Sequence, residues 1–186
     1  CVVPMPQLDD RRVNRSRQQL QMALQTLLQH EPLDKITVKD LCATSDMARK
    51  TFYLHYVDKY ALIAEMVTQL FQALAKICEQ ISDDDFQAKT LVWLDFFDQH
   101  QPLIQAILAS SAASDYRQQL LTFVQTQIQQ KALWRNNPAL QHDPVRLQFL
   151  ASGVIGVLDQ YVLAAQTAQQ QQIAQRLSDL LLENLH

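Results

Sequence analysis

Glycine and proline are scarce in this sequence, which has only 2 Gly and 6 Pro among its 186 residues. These two residues interrupt helices most strongly, whereas Gln, Leu and Ala, which suit helix, fill long stretches of the chain. Hydrophobic residues make up 48% of the total, which is ample for a continuous core. We therefore expect an all-α fold.

Cysteine is also rare. The three cysteines, Cys1, Cys42 and Cys78, show no metal-ligand spacing, and the last two lie on apolar helix faces. They indicate reduced core residues of a cytoplasmic protein rather than a disulfide framework. No apolar run approaches about 18 residues and no signal peptide is recognisable, so neither membrane insertion nor export is expected. Met5 offers a natural start, so we expect residues 1–4 to be an upstream extension rather than a lipidated mature end that begins at Cys1.

Signs of catalysis are missing as well. The five histidines are scattered, no Ser or Cys lies in a nucleophile elbow, and there is no Gly-rich phosphate loop. Asp95 and Asp98 could face each other on one helix, but an exposed acidic face explains them more simply. No His and Glu pair shows metal-ligand spacing. The sequence therefore predicts a protein with no catalytic residues, no cofactor and no metal site.

Charged residues make up 19% of the chain, and their signs are unevenly distributed. Residues 1–60 hold nine Lys and Arg against seven Asp and Glu, a balance of +2, whereas residues 61–186 carry −5. A weakly basic N-terminal part fits DNA contact through a few placed cations and argues against sequence-blind electrostatic binding. Four arginines form an N-terminal arm that we interpret as a solvated helix start rather than a groove reader: Arg11, Arg12, Arg15 and Arg17.

Residues 37–47 are predicted to form a short helix followed by a tight turn. Thr37 offers a capping hydroxyl, and the apolar residues that follow it recur at the i, i+3, i+4 spacing of one helix face. Ser45 and Asp46 then tolerate turn conformations and compete with helix through side-chain hydrogen bonds. The chain is therefore expected to turn at Asp46.

A second short helix is predicted from about Arg49 to Tyr56, where Phe52 and Tyr56 face the core four residues apart. Asp58 then caps a long helix, and Lys59 beside its free amide groups is interpreted as a phosphate clamp. The outward side chains of the second helix can donate hydrogen bonds to phosphates and bases: Arg49, Lys50, Thr51, Tyr53 and His55. Two short helices joined by a tight turn are typical of the DNA-binding helix-turn-helix.

These residues resemble the DNA-binding signature of the TetR family of bacterial transcriptional regulators. The resemblance covers roughly residues 12–65 and rests on three stretches: Thr37-Val38-Lys39-Asp40-Leu41, Thr51-Phe52-Tyr53-Leu54-His55-Tyr56 and Asp58-Lys59-Tyr60-Ala61-Leu62. The sequence departs from the family at two positions. The family usually has Gly in place of Asp46, which can still adopt the left-handed conformation, and Ser or Thr in place of Ala48. The second departure removes the usual cap of the recognition helix.

The resemblance implies a homodimeric transcription factor, in that family most often a repressor, that binds a palindromic DNA operator. It implies a helix-turn-helix domain at residues 10–57 and a helical effector-binding and dimerisation domain at residues 58–186. An effector would shift the helix that Asp58 begins and change the separation of the two DNA-binding units. The residues expected to contact DNA are Thr37, Lys39, Arg49, Lys50, Thr51, Tyr53, His55 and Lys59.

The last two helices are expected at about residues 143–166 and 167–185. Both glycines of the chain fall inside the first, where each costs roughly 1 kcal/mol relative to Ala, so close helix approach is the expected compensation. The predicted buried stripe of that helix contains Val145, Phe149, Ser152, Gly153, Gly156, Leu158 and Val162. Residues 149–158 are similar to the penultimate helix of many TetR-type regulators. That similarity implies a four-helix dimer interface through Phe149, Gly153, Gly156, Leu177 and Leu181.

Aromatic residues are concentrated in the middle helices. They could line a cavity for a small apolar or amphipathic effector, with Trp93, Phe97 and Phe123 as the candidates, or they could form a solid core. Two alternatives to an effector-controlled regulator stay open. One is a regulator of the same fold controlled by a protein partner. The other is a helical enzyme or carrier without DNA activity, which would require the cations of the recognition helix to be buried in intramolecular pairs.

Overall fold

The computed structural model describes residues 8–81, 85–164 and 169–185, and no β-strand occurs in these ranges. The helices, in chain order, are α1 (Leu8–Leu28), α2 (Val38–Thr44), α3 (Arg49–His55), α4 (Lys59–Glu79), α5 (Phe86–Gln99), α6 (Gln101–Leu108), α7 (Ala113–Gln129), α8 (Ala132–Arg135), α9 (Pro138–Gln141), α10 (Pro144–Ala164) and α11 (Gln170–Leu185). The all-α prediction is confirmed. The predicted extension at residues 1–4 lies outside the described residues.

The start of α2 and the turn after it follow from local side-chain chemistry. The Thr37 hydroxyl accepts a hydrogen bond from the Asp40 N–H (3.3 Å), and the Asp40 carboxylate accepts one from the Thr37 N–H (2.9 Å). This reciprocal cap satisfies amide groups that a helix start leaves without partners. The turn closes where the Met47 N–H donates to the Cys42 carbonyl (2.9 Å), and Asp46 has φ of 52°. The expected turn at Asp46 is therefore present.

The helices α1, α2 and α3 enclose one end of the core, and we call them the N-terminal unit. Leu20 and Leu24 of α1, Leu41 of α2 and Phe52 of α3 are all 0% exposed. Because one buried face of each helix meets the others at these residues, the short α2 and α3 are held by packing rather than by their own propensity. Their outer faces remain available to solvent.

The long helix α4 connects the N-terminal unit to the remaining helices. Asp58 caps it, as predicted, by accepting a hydrogen bond from the Ala61 N–H (2.9 Å), and its buried face extends from Leu62 to Leu74 and beyond. Asp85 caps α5 in the same way. Further along, α5 packs against α11, and α7 packs against both α10 and α4. The buried side chains form one continuous core that runs from α1 to α11.

The predicted buried stripe of α10 is wrong for most of its members. Phe149 is 69% exposed, and Val145, Ser152, Gly153 and Gly156 also lie on the outer surface. The interior face is formed by Leu147, Leu150, Ala151, Val154, Leu158, Tyr161 and Val162. Because both faces of α10 carry apolar residues, the hydrophobic pattern does not determine how the helix is rotated about its axis. A Cβ added at either glycine would meet nothing within 4 Å, so close approach inside the protomer does not explain the glycines.

Two helices, α4 and α10, are long and apolar enough to cross a membrane by length and composition alone. Each has 21 residues, and their mean hydropathies are 1.3 and 1.4. In the structure each presents a buried face to neighbouring helices of the core. Core helices of globular proteins commonly reach such hydropathy, so these two do not indicate a membrane protein.

Candidate nucleic-acid interface

The recognition helix α3 has one buried face and one exposed face. Phe52 is 0% exposed, and its ring packs against Tyr53 (centroids 5.4 Å apart) and Tyr56 (5.8 Å). Tyr53 is nevertheless 58% exposed, and its ring meets the Phe52 ring at an interplanar angle of 88°. The buried rings therefore fix the rotation of α3 and hold the Tyr53 side chain at the surface.

The polar side chains predicted to contact DNA share this exposed side. Arg49 and Lys50 are exposed, and Thr51 and His55 are half-buried. Within the described part of the chain, the side chains of Arg49, Lys50 and Tyr53 form no hydrogen bond or ion pair, so their donors face solvent. The alternative of a helical enzyme or carrier without DNA activity required these cations to be buried in intramolecular pairs. Because Arg49 and Lys50 are exposed, the structure gives no support to that alternative.

Two exposed apolar residues that were not predicted from the sequence lie near the polar side chains of α3. Leu54 is 74% exposed and Val57 is 80% exposed. Leu54 follows Lys50 by four residues on α3, so a count from Lys50 would have placed it on the same face. Val57 lies beyond the end of α3, where helical spacing does not apply. Exposed apolar groups beside donors suit contact with thymine methyl groups in the major groove.

The N-cap residue of α2, Thr37, and Lys39 in its first turn were also predicted to contact DNA. Both are exposed. The Thr37 hydroxyl already donates to the Asp40 carboxylate (2.6 Å), and this bond is the main reason that the pKa of Asp40 lies below its usual value. Thr37 is thus a capping residue, and a phosphate contact through its hydroxyl proton would have to replace the Asp40 bond.

The predicted phosphate clamp at Lys59 is wrong. Its side chain is 9% exposed, and its ammonium group donates to the carbonyls of Leu33 (2.8 Å), Asp34 (2.9 Å) and Ile36 (2.8 Å). A lysine has three donors, so none is left for DNA. The cause is the loop between α1 and α2, whose carbonyls converge on the start of α4. No local sequence pattern reports such convergence.

A second link between the same loop and the later helices was not predicted. The Asp34 carboxylate accepts hydrogen bonds from the Ser111 hydroxyl (2.9 Å) and the Ser111 N–H (3.2 Å), and the Tyr60 hydroxyl lies 2.9 Å from the Ser111 hydroxyl oxygen. We call Asp34, Tyr60 and Ser111 the Asp34 latch. The Ser111 hydroxyl is the largest cause of the lowered pKa of Asp34, and burial opposes it only in part. The latch joins the N-terminal unit to the turn between α6 and α7.

A pair of glutamines extends this connection to α10. The side-chain amides of Gln101 and Gln105, both on α6, donate to the Val162 carbonyl near the end of α10 (3.0 and 2.8 Å). The turn that follows α6 carries Ser111. A continuous path of hydrogen bonds and one helix therefore runs from the end of α10 to the loop that precedes α2.

The residues predicted for the dimer interface fall into two groups. Phe149, Gly153 and Gly156 lie on the outer face of α10, together with two further exposed apolar residues, Val145 (76%) and Leu163 (55%). Leu177 and Leu181 do not share this surface, because they face the interior between α10 and α5 and line a cavity there. Leu180, 46% exposed, is the outward leucine of α11.

A small cavity lies between α5, α7, α10 and α11. It has a volume of about 60 Å³, and Trp93 is the member of the predicted effector set that lines it. Phe97 is 1% exposed and belongs to the solid core. Phe123 lies outside the cavity and stacks on Phe71 with ring centroids 5.1 Å apart. The Phe123 ring also lies 5.4 Å from the Trp93 ring, so Trp93 lines the cavity and Phe123 adjoins it from outside, whereas Phe97 does not line it. The effector set stays a prediction.

Neither protein-family models nor curated proteins match the sequence. Solved structures do match it over most of its length. The dihydroxyacetone kinase operon activator DhaS superposes with a TM-score of 0.69 at 16% identity, covering 91% of this chain and 96% of that one. A TetR transcriptional regulator from Streptococcus agalactiae gives 0.67 at 25% identity, covering 94% and 97%. A putative TetR-family regulator from Syntrophomonas wolfei gives 0.68 at 15% identity, covering 92% and 95%.

These neighbours are named as regulators of transcription, and none of their names describes an enzyme. The coverage of more than nine-tenths of each chain means that the likeness extends from the N-terminal unit through the last helices. It agrees with the helix-turn-helix geometry of α2 and α3 and with the exposed donors of α3. The chain has the fold of the TetR-family transcriptional regulators.

Proposed function

We propose that this protein is a cytoplasmic DNA-binding transcriptional regulator that recognises a palindromic operator as a homodimer. The observation that carries the proposal is the exposed face of α3, where Arg49, Lys50 and Tyr53 present unengaged donors within a TetR-type fold. Residues 10–57 form the DNA-binding domain in this proposal, and residues 58–186 form the effector and dimerisation domain.

In the proposed complex, α3 enters the major groove. Arg49, Lys50, Thr51 and Tyr53 lie near base edges, where donors read sequence, and Leu54 adds apolar surface beside them. A second set contacts the DNA backbone and sets the register: Thr37, Lys39 and His55. Lys59 leaves this set because its ammonium group is engaged inside the protein.

The single most direct test is Tyr53→Ala. Since Tyr53 is 58% exposed, its removal should leave folding unchanged while weakening operator binding by roughly 1–3 kcal/mol. The measurement is a gel-shift titration at fixed salt on a duplex selected from a random pool. Ile77→Ala, at a 41% exposed position on α4, is the control and should bind as the wild type does. Wild-type affinity in Tyr53→Ala would contradict the assignment of α3 as the reading helix.

Dimerisation is proposed to use the outer face of α10, with Phe149, Gly153 and Gly156 at its centre and Leu180 of α11 at its edge. Glycine on an exposed helix face is costly in an isolated protomer, but a partner helix can approach it closely. Two-fold symmetry of the protein then requires two-fold symmetry of the operator, with half-sites about one helical turn apart.

Control by a small-molecule effector is proposed to act through α4 and the Asp34 latch. A ligand between α5, α7, α10 and α11 would move these helices against α4, and the path through Val162, Gln105 and Ser111 would carry the change to the loop before α2. The population of the DNA-competent arrangement would then fall. We propose that operator binding represses transcription, although DhaS is named an operon activator. A reporter gene placed behind the operator shows whether binding lowers or raises transcription.

The Asp34 latch has its own test in Ser111→Ala. The change removes the hydroxyl that bonds Asp34 and Tyr60, so amide exchange in residues 33–36 should accelerate several-fold while α10 remains unchanged. Ser114→Ala in the same region is the matched control, since Ser114 is exposed. The pKa of Asp34 is lower in the folded protein than in the unfolded chain, so the charged carboxylate stabilises the folded state at pH values above the ordinary Asp pKa. This stabilisation is lost only as the pH falls through the lower pKa of the folded protein. The Asp34 latch therefore stays closed at neutral pH. Unchanged exchange in Ser111→Ala would remove the latch from the mechanism.

A regulator of the same fold controlled by a protein partner is the second candidate. The observation that favours it is the cavity volume of about 60 Å³, which is well below the several hundred Å³ of usual ligand sites. Failure of every small ligand to alter operator binding, with a partner protein altering it, would establish this alternative.

A further inference from the structure

The cavity between α5, α7, α10 and α11 adjoins a second one, and the two differ in polarity. We call the first the inner cavity. The outer cavity, of about 110 Å³, lies toward the end of α4 and is lined by Ala75, Cys78, Glu79, Lys89, Gln127, Gln130 and Lys131. Lys89, Gln127 and Lys131 line both cavities. These three polar side chains therefore stand at the boundary between the two spaces.

The wall of the inner cavity beyond this boundary is almost entirely apolar. Its other members are Phe86, Thr90, Trp93, Val124, Ile128, Val154, Leu158, Leu177, Leu181 and Leu185. The one hydroxyl among them, on Thr90, already donates to the Phe86 carbonyl (2.8 Å) and lies 3.0 Å from the Ser178 hydroxyl oxygen. A ligand group inside the inner cavity therefore finds no free hydrogen-bond partner there and has to be apolar.

Two lysines, Lys89 and Lys131, lie at the boundary. Lys89 is 9% exposed, and the ammonium group of Lys131 lies 5.0 Å from the centroid of the Phe86 ring. Burial raises the pKa of the Cys78 thiol in the outer cavity, and the hydrogen bond from Trp93 and the charges of the two lysines oppose that shift only in part. Glu79 is the one carboxylate among the described residues that line either cavity. Both lysines already have interaction partners in the protein, so an incoming anion would join or displace an existing partner.

We propose that the effector of this regulator is an anionic amphiphile of the acyl-carboxylate class. Its chain enters the inner cavity, which widens around it, and its carboxylate lies between Lys89 and Lys131. The arrangement disfavours lipophilic cations, because two ammonium groups face the position of the ligand head group. The inference rests on the proposed function, since it names the ligand of the proposed effector domain.

The test compares four probes of matched size or charge by calorimetric titration of the full chain: octanoate, 1-octanol, octylamine and acetate. Octanoate should bind about tenfold or more tightly than octanol, which has the chain without the charge, and acetate and octylamine should bind much more weakly. Equal binding of octanol and octanoate, or tighter binding of octylamine, would overturn the proposal.

Two substitutions locate the site. Lys131→Met and Lys89→Met should each lower the affinity for octanoate about tenfold relative to that for octanol, which removes the preference. Lys76→Met, at an exposed position on α4, should keep the preference. Since Lys89 is buried, Lys89→Arg serves as the variant that keeps the charge if Lys89→Met fails to fold, and it should retain octanoate binding. Loss of the preference in Lys76→Met, or its retention in Lys131→Met, would contradict the assignment.

Operator binding without any ligand separates this inference from the proposed function. If the wild type binds a selected duplex but no probe binds the protein, the effector class is wrong and the regulator proposal stands. If no duplex is bound while octanoate binds as described, the regulator proposal fails and the anion site stands.

Discussion

Replacing Phe149 by Asp is expected to abolish dimerisation and, with it, tight binding to a palindromic operator. The ring is 69% exposed in the protomer, so the carboxylate would remain solvated and folding would be unaffected. In the proposed interface the same carboxylate would be buried against apolar surface twice, once from each protomer. That cost should raise the dimer dissociation constant by roughly 10³-fold or more, as sedimentation equilibrium can measure.

Two further variants sharpen the result. Met22→Asp places the same charge at another exposed apolar position, 66% exposed on α1, and should remain dimeric. Gly156→Leu has open space around its Cβ and gains roughly 1 kcal/mol of helix propensity, so the protomer should fold well and yet fail to pair. An intact dimer for both Phe149→Asp and Gly156→Leu would mean that the interface lies elsewhere.

Replacing Lys59 by Met is expected to destabilise the protein by about 2–4 kcal/mol. The substitution keeps the length of the side chain but removes the ammonium group that bonds three loop carbonyls. Buried acceptors left without a donor are costly, and the loop between α1 and α2 loses its attachment to α4. Urea denaturation gives the change in the free energy of unfolding.

The salt dependence of DNA binding distinguishes this structural role from a phosphate contact. In conditions where Lys59→Met is folded, the slope of log K against log salt should match that of the wild type. Lys50→Ala is the matched comparison, since removing this exposed cation should flatten the slope by about one unit for each phosphate it neutralises while leaving stability unchanged. A flattened slope with unchanged stability in Lys59→Met would restore the phosphate clamp.

Features that depend on neighbouring residues in the sequence were predictable. Thr37 and Asp40 form the cap of α2, Asp58 caps α4, and Asp46 adopts the left-handed turn. Each needs only the chemistry of residues within three or four positions. The exposed face of α3 also followed from the spacing of Phe52 and Tyr56, because two buried rings fix the rotation of a short helix.

Features that depend on distant segments were not predictable in the same way. Asp34 and Ser111 are 77 positions apart, and Lys59 bonds carbonyls more than 20 positions before it. The prediction of which face of α10 is buried was wrong for a related reason. An apolar face toward the core and an apolar face toward solvent have the same hydropathy, so only the packing of α7 and α5 against α10 distinguishes them.

The recognition helix begins at Arg49 after Ala48, whose side chain makes no capping hydrogen bond, and its seven residues are too few to be stable alone. Its first turn therefore depends on the buried rings behind it, and we expect it to move more than a turn capped by Ser or Thr would. In the proposed complex, contact with DNA would reduce that motion, so association would carry an entropic cost that a capped helix meets during folding instead. For the same set of contacts, the complex of this protein should thus dissociate sooner than that of a capped relative.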